Sequence, residues 1–79
     1  MKQVEVYTQP DCPPCQIVKK FLRHYSVPYT EYNIKTDSTA QNRLVHDYNS
    51  YSTPTVIVDG EAVIGFDIER LQQLLDIEQ

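Results

Sequence analysis

Cysteine is scarce in this chain: two in 79 residues, Cys12 and Cys15, three positions apart. A bridge between them closes so small a loop that it restricts little of the unfolded chain. The pair is a poor structural staple, which points to chemistry instead. No apolar run approaches the roughly 20 residues of a membrane span. The opening residues, Met1-Lys2-Gln3-Val4-Glu5, lack the apolar stretch of a secretory signal. Positive charge is sparse as well, seven Lys and Arg against eleven Asp and Glu, for a net charge of −4. Lys19, Lys20 and Arg23 form the one cluster, too short for a nucleic-acid footprint. Repeats, linkers and low-complexity stretches are also missing. The expectation is one domain over 1–79, with no membrane and no nucleic-acid partner. Two close cysteines without a wider framework or a signal suggest a reducing, intracellular setting, here the cytoplasm.

What is present alternates between two periods. Gln3 to Thr8, with Val4, Val6 and Tyr7, reads as a strand. Gln9-Pro10-Asp11 is a break. From Pro13 onward, Ile17, Val18, Phe21, Leu22 and Tyr25 follow the rhythm of an amphipathic helix. Pro13 and Pro14 mark its start, because the first helical turn has no use for their missing N–H groups. Ser26-Val27-Pro28 ends it. Tyr29 to Ile34 predicts a second strand, and about Thr39 to Tyr48 a second helix, with Ala40, Leu44 and Tyr48 on one face. Asp37-Ser38-Thr39 offers N-cap candidates. Thr55–Val58 and Glu61–Ile64 flank Asp59-Gly60, a hairpin signal. Asp67 caps a last helix from Ile68 to about Ile77, with Ile68, Leu71, Leu74 and Leu75 inward. The order β-α-β-α-β-β-α implies an α/β fold. Its first βαβ unit is parallel, its last hairpin antiparallel, and helices cover both faces of a mixed four-stranded sheet.

Disulfide exchange needs an exposed thiolate and a second thiol within reach. At i, i+3 on a helical turn, two Cβ atoms lie about 5–6 Å apart. A small local closure brings them to disulfide distance. Cys12 falls at the N-cap side, where the helix end favours an anion, and Cys15 one turn inside. Cys12 is thus the expected nucleophile and Cys15 the resolving thiol. Because Pro13 and Pro14 carry no N–H, Cys15 N–H is left as the nearest backbone donor to the Cys12 sulfur. Asp11 adds negative charge next door. Both effects make Cys12 less acidic than a comparable thiol and tilt the pair towards reductant. A zinc site would need four ligands. His24 and His46 are the remaining soft candidates and fit no metal spacing with the CxxC, so no metal is expected. Those two histidines read as surface residues of helices. The six tyrosines, Tyr7, Tyr48 and Tyr51 among them, read mostly as core and sheet-face residues, one or two of them rimming the site.

Three landmarks then appear in order. They are Val6-Tyr7-Thr8-Gln9-Pro10-Asp11-Cys12-Pro13-Pro14-Cys15, Ser52-Thr53-Pro54-Thr55 and Gly65-Phe66-Asp67. Together they resemble the glutaredoxin-like proteins over essentially the whole chain. The resemblance implies a thioredoxin-like fold with three helices around a sheet of order 2-1-3-4, the third strand antiparallel to the first. It implies a cis Thr53–Pro54 bond facing the cysteines, with the Thr53 backbone pairing with a bound thiol substrate. It places the substrate or glutathione contacts at Gln9, Pro13, Pro14, Thr53, Pro54, Gly65, Phe66 and Asp67.

Departures from the glutathione-reduced pattern stand at four places. Gln9 replaces a basic residue, Pro14 a tyrosine, Ile64-Gly65 a Gly-Gly, and Asp67-Ile68 an acidic pair. Gly65-Phe66 is instead similar to redoxins that draw electrons from thioredoxin reductase and feed ribonucleotide reductase. Two donors therefore stay open, thioredoxin reductase and glutathione. The leading expectation is a monomeric dithiol reductant of protein disulfides, an electron carrier with no permanently bound cofactor beyond its Cys12–Cys15 disulfide. The alternatives are glutathione-dependent deglutathionylation through Cys12 alone, and an iron–sulfur carrier ligated by Cys12 and glutathione. The stiff diproline and the available Cys15 weigh against the last.

Overall fold

The computed structural model of the chain describes residues 3–77. Seven elements follow in the expected order: β1 (Val4–Thr8), α1 (Pro13–His24), β2 (Thr30–Asn33), α2 (Ser38–Tyr48), β3 (Thr55–Val58), β4 (Glu61–Ile64) and α3 (Ile68–Leu75). The sheet order is β2-β1-β3-β4. β1 runs parallel to β2 and antiparallel to β3, and β3 pairs antiparallel with β4. This is the thioredoxin-like arrangement that the three landmarks imply.

Strand alternation sorts the core into two layers. Val4 and Val6 of β1, Val56 and Val58 of β3, and Val63 of β4 face Val18 and Leu22 of α1 and Leu71 of α3. Tyr7 and Ile57 face Ala40 and Leu44 of α2 on the other side, joined by Tyr32, Ile34 and Tyr48. β3 is buried at every position because it is central and covered on both faces. Arg43 of α2 donates from Nε to the Tyr7 hydroxyl at 2.8 Å and lies 4.8 Å from the Tyr32 ring centroid. Burial pushes the Tyr7 phenol above its ordinary value, and the Arg43 hydrogen bond opposes that shift. Among the described residues, no helix is long and apolar enough to cross a membrane.

The differences from the periodicity lie at element ends. Ile17 is 48 % exposed although it belongs to the predicted apolar rhythm of α1. The buried stripe runs through Cys15, Val18 and Leu22. Ile17 falls at its edge, beside the cysteines. Tyr51, at 81 % exposure, lies outside both layers. α3 stops at Leu75 rather than near Ile77 because Asp76 turns left-handed, with φ 55°.

Left-handed residues end all three helices: Ser26 (φ 56°), Asn49 (φ 53°) and Asp76 (φ 55°). At Ser26 the closure is a Schellman motif. Ser26 N–H bonds Arg23 O at 3.0 Å, and Val27 N–H bonds Leu22 O at 2.9 Å. Such a position favours glycine. Glycine does stand at the hairpin, where Asp59 (φ 48°) and Gly60 (φ 88°) make the tight turn that β3 and β4 need. Ser26→Gly should relieve the left-handed strain and stabilise the fold by about 0.5–1 kcal/mol, read as a higher urea midpoint at unchanged slope.

Candidate active site

The first half of the site follows from how α1 begins. β1 ends at Thr8, and the chain turns through Gln9, Pro10 and Asp11, with Asp11 left-handed at φ 56°. Aspartate tolerates that conformation better than most residues. The turn delivers Cys12 as the N-cap of α1, in extended conformation, with Pro13 and Pro14 at the first two helical positions. An N-cap side chain accepts from the second or third helical N–H. Pro14 holds the second position and has none, so the sulfur takes the third: Cys15 N–H points at Cys12 Sγ at 3.3 Å. The same N–H and that of Gln16 also reach Cys12 O, at 3.1 and 3.3 Å. Cys12 and Cys15 are joined by a disulfide, with their Cα atoms 5.3 Å apart.

The second half comes from 41 residues away in sequence. Thr53 Oγ1 lies 3.6 Å from Cys12 Sγ, and the Thr53–Pro54 bond is cis. Below it, Ser50 Oγ sits 2.8 Å from Thr55 Oγ1, and the Thr55 hydroxyl donates to Ser52 O at 2.7 Å. These two buried hydroxyls brace the loop that carries Thr53. Gly65 N–H donates to Pro54 O at 2.8 Å, which ties the end of β4 to the same loop. Gly65 has φ 79°, a value natural only to glycine there. Phe66 (46 % exposed) and Asp67 continue from this anchor. Asp67 Oδ1 accepts from Arg70 N at 3.2 Å, so Asp67 caps α3.

The structure thus brings Cys12, Cys15, Pro13, Pro14, Thr53, Pro54 and Gly65 together, with Phe66 and Asp67 on the adjoining rim. Gln9 stands exposed at the end of β1. Cys12 is more accessible than Cys15, but only at 8 % against 1 %. The exposed thiol expected from the motif is largely covered in the disulfide form, because its sulfur turns inward towards Cys15 and Thr53. An open groove of about 600 Å³ runs beside it, lined by Asp11, Cys12, Pro13, Gln16 and Ile17. A groove of about 550 Å³ at the opposite end of β1 and β2, near Glu5 and Tyr29, holds no nucleophile. Among the described residues, no group of three or more His, Cys, Asp and Glu side chains is placed to hold a metal ion. His24 and His46 are both exposed on helices.

A network missed by the sequence reading lies at the end of β1. The Thr8 hydroxyl donates to Glu31 Oε2 at 2.8 Å, and Lys19 Nζ reaches the same oxygen at 3.1 Å. It ties β1, β2 and α1 together beside the cysteines. Lys19 is one helical turn after Cys15 and on the same face. The signal was faint: a lone acid on an edge strand. Burial opposes the charge on Glu31. The Thr8 and Lys19 hydrogen bonds and the Lys19 and Arg23 charges outweigh it, holding the carboxyl below the ordinary glutamate range. A pKa lowered by folding adds stability above the unfolded value, and that stability is lost as pH falls through the folded value. The stability difference between wild type and Glu31→Gln should therefore be largest near neutrality and shrink on acidification to about pH 3, measured by urea unfolding.

Comparison with known proteins agrees with this architecture. Residues 4–63 match the glutaredoxin family model. The crystal structure of the thioredoxin-like protein BC3987, in its T8A mutant, is 65 % identical, covers 99 % of this chain and 100 % of that one, and superposes with a TM-score of 0.94. The glutaredoxin of Archaeoglobus fulgidus is 25 % identical over 95 % of this chain and 87 % of that one, with a TM-score of 0.83. The gene 56 protein of Mycobacterium phage L5 is 30 % identical over 74 residues, which is 92 % of this chain and 72 % of the phage protein. A buckwheat glutaredoxin–glutathione complex shares the fold at 20 % identity and a TM-score of 0.76, over 95 % of this chain and 74 % of that one. The chain therefore belongs to the glutaredoxin family of thiol–disulfide oxidoreductases, its redox-active disulfide joining Cys12 to Cys15.

Proposed function

We propose that this protein reduces protein disulfides by a dithiol mechanism, with Cys12 as nucleophile and Cys15 as resolving thiol. The observation that carries the reading is the placement of Cys12 Sγ. It caps α1 and accepts Cys15 N–H at 3.3 Å, and Cys12 lines an open groove, while Cys15 is closed off at 1 % exposure. In the reduced protein the Cys12 thiolate attacks one sulfur of a substrate disulfide. A Cys12–sulfur bond forms, and the second substrate sulfur leaves as a thiolate and takes a proton. Cys15, as a thiolate, then attacks the Cys12 sulfur. The Cys12–Cys15 disulfide closes, and the remaining substrate thiol departs. Two electrons and two protons pass to the substrate. The Thr53 backbone, beside Cys12, is suited to pair with the substrate chain during both steps.

The electron donor in this reading is a protein reductase of the thioredoxin reductase kind, acting in a reducing compartment such as the cytoplasm. Gln9 brings no positive charge to the site, and no cation lines the groove beside Cys12. Glutathione is the second reading. The exposed Asp67, two residues beyond Gly65, favours it as a partner for the γ-glutamyl amine. The oxidised protein, given NADPH with thioredoxin reductase or with glutathione and glutathione reductase, separates the two donors. NADPH consumption in the first mixture alone is the expected result, and consumption in the second alone establishes glutathione. Cys15→Ser should accumulate mixed disulfides through Cys12, identified by mass spectrometry, and Cys12→Ser should reduce nothing. Alkylation of the reduced protein first at Cys15 would reverse the assignment.

The prolines tune this chemistry. Pro14→Ala restores an N–H at the second helical position, the other natural donor to an N-cap side chain. The Cys12 thiol of that variant should titrate at lower pH, and the reduction potential should rise. Thiolate absorbance follows the first effect without any substrate. An unchanged or higher titration point would show that backbone donors do not set the energy of the thiolate.

A further inference from the structure

The charges around Cys12 carry one sign. Asp11 precedes the nucleophile directly, lines its groove and is exposed. Asp67 is exposed two residues beyond Gly65, whose N–H is bonded to Pro54 O, and Pro54 follows Thr53, whose hydroxyl lies 3.6 Å from Cys12 Sγ. Two extended residues span at most about 7 Å, so this carboxylate stays close to the Thr53–Pro54 loop. The other residues beside the groove, Pro13, Gln16 and Ile17, are apolar or neutral, as is the exposed Phe66 next to Asp67. No Lys, Arg or His lines the groove. Along α1 the first cations, Lys19 and Lys20, come a full turn past Cys15 and Gln16, and Lys19 is held by Glu31 at 3.1 Å. A disulfide approaching Cys12 therefore meets two carboxylates before it meets any cation.

Resting on the dithiol reading above, we propose that Asp11 and Asp67 are specificity-determining residues: they select disulfides flanked by lysine or arginine and disfavour those flanked by carboxylates. A cationic side chain next to the attacked cysteine gains attraction as the mixed disulfide forms. A carboxylate in the same place is repelled. Exposed charges beside an open groove steer the encounter of a charged partner. The electron balance is that of the dithiol cycle and is unaltered by the flanks. Both acids hold structural posts that asparagine fills equally well. Asn tolerates the left-handed conformation of Asp11 and is as good an N-cap as Asp67.

The test compares two synthetic peptide disulfides that are identical except for Lys or Glu beside the cysteine. Dithiothreitol, an uncharged dithiol, supplies the electrons, so that no charged donor intervenes. At low salt the wild type should reduce the Lys peptide with a kcat/KM about fivefold to tenfold above the Glu peptide. The ratio should fall towards one in about 1 M salt and in the double variant Asp11→Asn, Asp67→Asn. It should persist in Asp76→Asn. That substitution removes one charge nine residues beyond Asp67, about 13 Å along α3, a separation at which an exposed charge acts only weakly through water. A ratio near one in the wild type at low salt overturns the proposal, as does a ratio that survives the double variant. Failure to reduce either peptide is a different result, because it overturns the dithiol reading itself. Any change in Cys12 reactivity caused by Asp11→Asn acts on both peptides alike and cancels in the ratio.

Discussion

The antiparallel register of β1 against β3 is the constraint on which the site depends. Tyr7 stands opposite Thr55, so the residues that leave β1 and those that enter β3 meet at one end of the sheet. Cys12 follows β1 after a three-residue turn, and Thr53 precedes β3 by two. Their side chains come within 3.6 Å although 41 positions separate them. The next pairing repeats the logic. Thr55 also stands opposite Ile64, which brings Gly65 to the carbonyl of Pro54. A slip of one residue in either ladder would turn the buried valines outward and misplace both halves of the site. The two hydrophobic layers hold that register, so the core positions the chemistry.

Within this frame the helix end and the diproline act in opposite directions on the Cys12 sulfur. An N-cap position offers backbone donors and the positive end of the helix dipole, both of which favour a thiolate. Pro13 and Pro14 remove two of those donors while keeping the geometry of the turn. Asp11 adds an unfavourable charge. What remains is Cys15 N–H at 3.3 Å, a single backbone contact to the sulfur. Under the proposed dithiol mechanism this sulfur is held firmly and stabilised sparingly, the balance suited to a pair that gives electrons away. The Thr8–Glu31–Lys19 network anchors the neighbouring end of β1 to α1 across the edge strand, so the helix that carries both cysteines stays seated against the sheet.

The element order, the Asp59-Gly60 hairpin and the CxxC at the head of α1 were all legible in the chain. Each rests on local physics: a change of period from two to 3.6, a left-handed turn pair, prolines where N–H groups are unneeded, an aspartate capping α2 and another capping α3. The meeting of Thr53 with Cys12 was reached through family resemblance and not through periodicity. Ile17 and Tyr51 were misjudged because hydropathy marks a side chain as apolar without saying whether anything stands opposite it. The Arg43–Tyr7 bond left no mark in the pattern and the Glu31 network only a faint one, because both join elements distant in sequence. Local interactions follow from neighbours along the chain, and so from composition and spacing. The spacing of charges around Cys12, the bracing of the Thr53 loop and the covering of each thiol depend on strand register and layer packing, which arise only when distant segments bury their apolar faces against one another.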